Sequence, residues 1–588
     1  MCGIAGLVLA DGSQPLPKQL DRLVSAISHR GPDGEGRLTI GGTTLAHRRL
    51  AIIDLQTGDQ PFQDSYGTSL IANGEIYNYR ELTEKITDGV LSSKSDCELP
   101  LHLYRYHGLA FTEHLRGMYA LAIHDSKRGR LVLARDPFGI KPLYYVKNKG
   151  CFAFASEPQA LVAAGLASRT PCTSAFGELL NKQFIGGRST AFAEIKRVLP
   201  GETLVIEKGQ IIEKRYLAAL PSDGPREKDF AGLEARLDAL LSDSVNVHQR
   251  SDVPYGMFLS GGVDSSALLA MMARLNSKPV LTYTAGFDSK SVADERIQAR
   301  SVAKAVGATH VEITITQQDF WRDLPAIAAA LDDPCADYAI VPSFELARVA
   351  AKDVKVILSG EGGDELFAGY GRYRRALRPR WLGGREPRMH GLFDRMNVLR
   401  EASSPHTPSL PDSQLASSSM YSRLQVAQAM DFVDWLPHDL LTKLDRCLMA
   451  HGLEGRTPFL DRPLAEFAFC LPDRAKIRGT HGKWLLRSWL GKQLPAAKPF
   501  SRKRGFTVPV GEWIRARGQQ LGDLVAAQPG VKALCRSGSV APLFQSRNKH
   551  AGQAAWVLLF FSLWYRRHIL NLTPEGDVFD CLSSSAEC

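Results

Sequence analysis

The chain has 588 residues, 44% hydrophobic and 23% charged, with a net charge of +10; that length predicts two or more folded domains and the composition excludes a fibrous or disordered protein. No apolar run is long enough to span a bilayer, and the ten cysteines form no Cys-x-x-Cys pair, which excludes a zinc ribbon or a disulfide framework and predicts a cytoplasmic protein with no membrane partner. The positive excess lies in two short stretches, 371–395 and 498–504, without interleaved aromatic platforms, so nucleic acid is excluded in favour of small anions or a solvated surface.

The N-terminal segment lacks the basic start of a signal peptide. Residues 2–215 then show apolar runs bounded by Gly, Asp or Asn: 2–10, 42–54, 68–76, 117–125, 129–136 and 151–157. With helical stretches near 18–28 and 96–108, this predicts sheets covered by helices. Cys2 stands out by position. If Met1 is removed, a thiol and a free α-amine share one residue, and the amine, partly neutral at physiological pH, can serve as general base.

Cys2 opens Met-Cys-Gly-Ile-Ala-Gly, which is followed by His29-Arg30-Gly31-Pro32-Asp33, by Ala46-His47-Arg48-Arg49-Leu50, by Ala72-Asn73-Gly74-Glu75-Ile76-Tyr77-Asn78, by Ser95-Asp96-Cys97-Glu98 and by Arg135-Asp136-Pro137-Phe138-Gly139. This order resembles the class II glutamine amidotransferase domain, an N-terminal-nucleophile hydrolase with an αββα sandwich. The resemblance implies that Cys2 attacks glutamine, that the Asn73 side chain and the Gly74 N–H receive the oxyanion, that Arg49 binds the α-carboxylate, and that Asp96 with Glu75 binds the α-ammonium. Asn73-Gly74 also reads as a hairpin turn.

Two short strands are expected within 195–217, then a polar, Pro- and Gly-bearing linker (216–228) and a second domain (229–570) opening on a helix. Pro254 to Leu259 reads as a buried strand leading into Ser260-Gly261-Gly262-Val263-Asp264-Ser265-Ser266 and a helix. The glycines admit a phosphate to backbone N–H groups at the helix start. Asp264 stands where a Walker loop carries lysine, and a carboxylate beside a polyphosphate implies Mg²⁺. Strand and helix runs alternate through 280–360, predicting a doubly wound parallel sheet with ligands at the strand ends. A second acidic loop, Ser359-Gly360-Glu361-Gly362-Gly363-Asp364-Glu365, ends one such strand.

The loop at Ser260 resembles that of ATP pyrophosphatases, and the whole chain resembles the glutamine-hydrolysing asparagine synthetase family: an amidotransferase domain plus an ATP-pyrophosphatase-type synthetase domain. Gly482-Lys483-Trp484 and Lys503-Arg504-Gly505-Phe506 extend the likeness. It implies ATP bound by Leu259, Ser260, Gly261, Gly262, Asp264, Ser265, Ser266, Ala285, Ser359 and Gly360, Mg²⁺ shared by Asp264 and Asp364, Glu361 as base for ammonia, and Lys483 facing the phosphates. Asp294, Glu295 and Asp337 match further family positions. The implied reaction joins ammonia to an acyl-adenylate, β-aspartyl-AMP when aspartate is the acceptor; another carboxylate (sugar acid, peptide, natural product) or a degenerate regulatory homologue stays open. A homodimer and an internal ammonia channel are implied by the family alone. Gly455 and Thr457 replace the family's usual alanine and valine, and Gly363 a frequent serine or alanine, which directs attention to the acceptor pocket. Asp445 with Arg446 or Arg456 reads as a buried ion pair between helices. Residues 403–419 read as a mobile loop and 571–588 as a frayed, disordered tail.

Overall fold

The computed structural model describes residues 2–86, 91–225, 231–289, 292–378, 391–400, 420–501 and 508–584. The expected loop at 403–419 and the Lys503–Phe506 motif lie outside these residues.

Twelve strands build the first domain: β1 Gly3–Leu9, β2 Gly34–Ile40, β3 Thr43–Arg49, β4 Phe62–Gln63, β5 Thr68–Ile76, β6 Gly117–Asp125, β7 Arg130–Arg135, β8 Tyr144–Asn148, β9 Cys151–Ala155, β10 Lys196–Arg197, β11 Glu202–Glu207 and β12 Gln210–Tyr216. They form two six-stranded antiparallel sheets, ordered β10-β8-β9-β1-β3-β2 and β12-β11-β7-β6-β5-β4. Alternation along each strand sends one set of side chains between the sheets. Ile4, Leu45, Ile71, Leu131, Phe152 and Leu204 fill that layer. The outer faces are covered by helices, Leu99–His107 on one side and Thr173–Lys182 on the other. This is the expected αββα sandwich.

The third sheet is parallel, with strands β13 Tyr255–Phe258, β14 Leu281–Phe287, β15 Thr309–Ile315, β16 Val356–Leu358 and β17 Glu454–Arg456 in the order β15-β14-β13-β16-β17. The chain leaves β13 toward β14 and later returns on its other side through β16. The carboxyl end of β13 is therefore the switch point where an open α/β sheet leaves a crevice for ligands. The helix Val263–Leu275 starts there. No helix among the described residues is long and apolar enough to cross a membrane.

The two halves are fused across charged and aromatic contacts. Arg30 forks onto Asp445 (2.8 and 3.0 Å), Arg197 pairs with Asp333 (2.5 Å) and Lys182 with Asp434 (3.0 Å), all buried. Asp445 thus joins domains through Arg30, besides pairing with Arg446 at 2.8 Å; Asp445 and Arg446 share the helix Leu441–Met449 and Arg456 stands on a strand, so the expected ion pair between helices is corrected to a buried pair within one helix. Phe176 of Thr173–Lys182 packs on Phe561, Trp564 and Tyr565 of the long helix Lys549–His568, with centroids 5.2–5.9 Å apart.

The tail departs from expectation. Val578–Ser583 forms a helix with a capping box between Asp577 and Asp580, and Val578, Cys581 and Leu582 are buried against the core. Three apolar side chains at helical spacing dock it, so 571–584 is ordered rather than frayed. Residues 585–588 lie outside the described residues.

Candidate active sites

Cys2 precedes β1 and is 9% exposed. Its backbone N–H donates to Asn73 Oδ1 at 3.1 Å, and Arg30 Nε donates to its carbonyl at 3.2 Å. Burial raises the thiol above its ordinary value. Asn73 is fully buried in the middle of β5, opposite Ala120, and its Nδ2 has no hydrogen-bond partner among the described residues. A buried amide that gives its oxygen to the nucleophile's own N–H and keeps an unused donor beside it is unusual, because leaving such a donor unpaired costs ~1–3 kcal/mol. Asn73-Gly74 is no hairpin turn. Both residues are interior to β5, and a Cβ at Gly74 would stand 2.1 Å from Met118 O, so the neighbouring strand excludes any side chain there.

Glu75 shares the Asn73 face of β5. It is 4% exposed and pairs at 3.0 Å with Arg456. Burial raises it well above the usual carboxylate range, against the pull of Arg456. Asp96 is also buried and accepts the Ile76 N–H at 2.6 Å; burial pushes it up to about 6. Arg49 is buried, pairs with Asp59 at 2.8 Å and donates to the Asp54 carbonyl. Cys2, Asn73, Glu75 and Asp96 are thus brought into one buried neighbourhood at the start of β1 and the end of β5.

The second site is a cavity of about 570 Å³ at the carboxyl end of β13, lined by Ser260, Gly261, Gly262, Asp264, Asp364 and Lys483 among others. Gly261 has φ +69°, and a Cβ there would press on Ala299 N at 2.9 Å. The Ser265 hydroxyl turns back to Ser260 (3.1 Å), while Ser266 is fully buried in the helix with no partner for its Oγ among the described residues. Ser265, Ser266, Leu259, Ala285, Ser359 and Gly360 are not among the residues lining this cavity. Leu259, Ala285 and Ser359 stand at or near the ends of β13, β14 and β16, and Gly360 packs on Asp264, where a Cβ would meet Asp264 Cβ at 3.1 Å.

Lys483 is the hub. It is 3% exposed, has φ +56°, and places its ammonium between Asp264 and Asp364, 2.6 Å from the latter. Burial disfavours the charge, but the two carboxylates outweigh it and raise the lysine above its ordinary value. A left-handed non-glycine residue is strained, and such strain collects at functional sites. Two carboxylates converging on one cation is a donor set that suits a hard divalent ion completed by phosphate oxygens. Among the described residues no group of three or more His, Cys, Asp or Glu could hold a metal alone. Gly363 gives Asp264 its room: a Cβ would lie 2.6 Å from Asp264 Cγ. At Gly369 a Cβ would stand 1.7 Å from Asp364 Oδ1 and 2.1 Å from Lys483 Cε. We therefore expect Gly369→Ala to displace both side chains and raise the KM for ATP by about tenfold or more in initial-rate assays.

Glu361 lies outside that lining. It is half-buried, 3.8 Å from Lys443, whose ammonium binds Asp337 at 2.9 Å. Burial raises Glu361 above its usual range, Lys443 opposing and the neighbouring acids assisting. A Cβ at Gly455 would meet Leu444 and Leu448 at 3.2 Å, so this position packs against those two leucines. The expected acceptor pocket around Gly455 is corrected accordingly, because the alternating strand turns this position onto the helix Leu441–Met449. Arg30, Tyr370, Lys443 and Arg487 were given no site role from sequence, and Arg456 was read only as a possible ion-pair partner of Asp445. Arg30 contacts Cys2, Arg456 contacts Glu75 and Lys443 approaches Glu361, while Tyr370 and Arg487 line the cavity at β13 and lie near Asp364 and Lys483 in sequence.

Comparison with known proteins agrees with this division. The family model for a glutamine amidotransferase domain matches residues 1–217, and that for asparagine synthase matches 236–566. Asparagine synthetase [glutamine-hydrolyzing] 1 of Bacillus subtilis is 32% identical over 97% of both chains. A putative asparagine synthetase [glutamine-hydrolyzing] of Mycobacterium bovis is 32% identical over 96% of this chain and 97% of its own. Amidase chry2 of Gibberella zeae is 28% identical over 85% and 87%. The chain belongs to the asparagine synthase family, the glutamine-hydrolysing carbon–nitrogen ligases.

Proposed function

We propose that this enzyme hydrolyses glutamine at Cys2 and passes the ammonia to β-aspartyl-AMP, giving asparagine, AMP and pyrophosphate in the cytoplasm. The observation that carries the reading is the pair of separate constellations on one chain: Cys2 beside the unpartnered Asn73 amide, and Lys483 between Asp264 and Asp364 at the β13 switch point.

In the first, Cys2 Sγ attacks the carboxamide carbon, with its α-amine as base once Met1 is removed. Asn73 Nδ2 and the Gly74 N–H receive the oxyanion. The C–N bond breaks, ammonia leaves, and water cleaves the remaining thioester to glutamate. Glu75 and Asp96 hold the substrate's ammonium, and Arg49 its carboxylate.

In the second, the loop Ser260–Gly262 and the start of Val263–Leu275 seat the polyphosphate, with Ser265, Ser266, Gly360 and Ser359 supporting the loop and Leu259 and Ala285 the adenosine. Asp264 and Asp364 would hold Mg²⁺, which when bound supplies positive charge to the phosphates. Lys483 faces the phosphorus and the departing pyrophosphate. The acceptor carboxylate displaces pyrophosphate, ammonia displaces AMP, and Glu361 takes the released proton; its raised pKa suits a base near neutral pH.

Aspartate as acceptor is supported by the B. subtilis relative's name across nearly the full chain. A second reading, another carboxylate acceptor, is favoured by the amidase relative. Pyrophosphate release from ATP and Mg²⁺ with ammonium, measured with and without L-aspartate, separates them. Aspartate-dependent release with asparagine as product is expected. Silence with aspartate, in protein that still hydrolyses glutamine, would move the assignment to another acceptor.

A further inference from the structure

Glu75 is buried in the first domain, and the guanidinium paired with it comes from the other domain. Arg456 is fully buried on β17, the edge strand of the parallel sheet, and its NH2 lies 3.0 Å from Glu75 Oε1. The guanidinium is fixed on its remaining sides: Nε bonds Glu454 at 2.5 Å, and NH1 donates to the carbonyls of His248 (2.8 Å) and Arg250 (2.7 Å). It has little freedom to follow Glu75; Glu75 must come to it. The backbone of the same residue reaches the opposite way, since the Arg456 carbonyl accepts the Ser359 N–H at 2.8 Å. One residue thus touches the carboxylate proposed to hold glutamine and the loop proposed to hold the nucleotide.

We infer that Arg456 is a positioning residue of the glutaminase site, contributed by the synthetase domain: it holds Glu75 aimed so that its second oxygen can receive the substrate's ammonium, and its fixed charge works against the neutral form that burial favours. The inference rests on the assignment of Glu75 made above. Physically, a carboxylate in a dry site favours the neutral form unless a fixed cation stands against it. Glu454 and Asp96 are acidic neighbours that push Glu75 further that way, and Arg456 opposes them. Tyr77 lies against the same guanidinium, its ring centroid 6.0 Å from Arg456 Cζ. A neutral Glu75 would still fill the space but would lose its attraction for an α-ammonium. The nucleophile's own hydrogen bonds, to Asn73 and from Arg30, do not involve Arg456.

Arg456→Gln and Arg456→Lys in the full chain test this. Cys2 is alkylated with iodoacetamide, which needs no amino-acid recognition, and in parallel with a diazoketone analogue of glutamine, which does; KM for glutamine and the rate of ammonia-driven synthesis are measured alongside. For Arg456→Gln we expect iodoacetamide labelling within about twofold of wild type, with analogue labelling slowed and KM for glutamine raised about 10- to 100-fold. Glutamine-driven synthesis should fall at least tenfold more than ammonia-driven synthesis. Lysine restores charge but not the fork, so its KM should be intermediate. An unchanged KM overturns the inference. So does a parallel loss of iodoacetamide labelling, analogue labelling and ammonia-driven synthesis, which marks a structural role. Cys2→Ala distinguishes the two levels. If it still uses glutamine, the glutaminase reading fails; if it does not, and Arg456→Gln binds glutamine normally, only the present inference fails.

Discussion

Replacing Cys2 with alanine is expected to lower glutamine-driven synthesis by about 10³-fold or more while ammonia-driven synthesis stays within about twofold of wild type. The alanine keeps the backbone N–H that donates to Asn73 and the carbonyl that accepts from Arg30, so the neighbourhood retains its shape. What disappears is the sulfur proposed to form the thioester. The nucleotide cavity draws its lining from Ser260 onward and owes nothing to that sulfur. Amide formation followed separately with glutamine and with ammonium chloride reads the two activities. Equal loss of both would contradict two separable sites.

The second large effect is expected at Lys483. Lys483→Ala should reduce pyrophosphate release by about 10²- to 10³-fold, with glutamine hydrolysis retained. The substitution leaves Asp264 and Asp364 facing one another without the ammonium that now lies between them. Their mutual repulsion raises the pKa of the pair, which weakens both as ligands for a divalent ion. It also removes the donor proposed above to meet the negative charge gathering on departing pyrophosphate. Arginine is a poor replacement, since a planar fork cannot occupy the position of a compact ammonium at φ +56° between two close acids. Unaltered pyrophosphate release in Lys483→Ala would remove Lys483 from the adenylation step.

Long apolar strands were readable from their residues. Thr68–Ile76 and Gly117–Asp125 alternate or run apolar between turn-forming residues, and the structure gives them those bounds. The glycine turn at Ser260–Gly262 was readable because strand, turn and helix signals adjoin in sequence. Gly34–Ile40 was not: Gly-Glu-Gly-Arg-Leu-Thr-Ile alternates weakly and becomes a strand by pairing with β3. Glu454–Arg456 has no apolar residue at all, and only its place beside β16 makes it a strand. For the same reason the Glu75–Arg456 pair could not be read. The two residues are 381 positions apart, and no local pattern says which of many acids a buried arginine will meet. The helix Val578–Ser583 carried a legible signal in Asp577 and Asp580, but it is under two turns long and runs into serines at its C-terminal end, where local pattern is weakest.

The packing of Phe176 against Phe561, Trp564 and Tyr565 has a consequence for biosynthesis. The first domain is translated early, yet the aromatic face of its outer helix is covered by side chains encoded near the other end. Some 385 codons separate Phe176 from Phe561. At about 5–20 residues per second, the ribosome takes roughly 20–80 s to cover that distance. Throughout this interval an apolar surface faces solvent, open to chaperones and to other nascent chains. The enzyme's yield in a cell should therefore respond to elongation rate and to chaperone supply, even where the finished protein is stable.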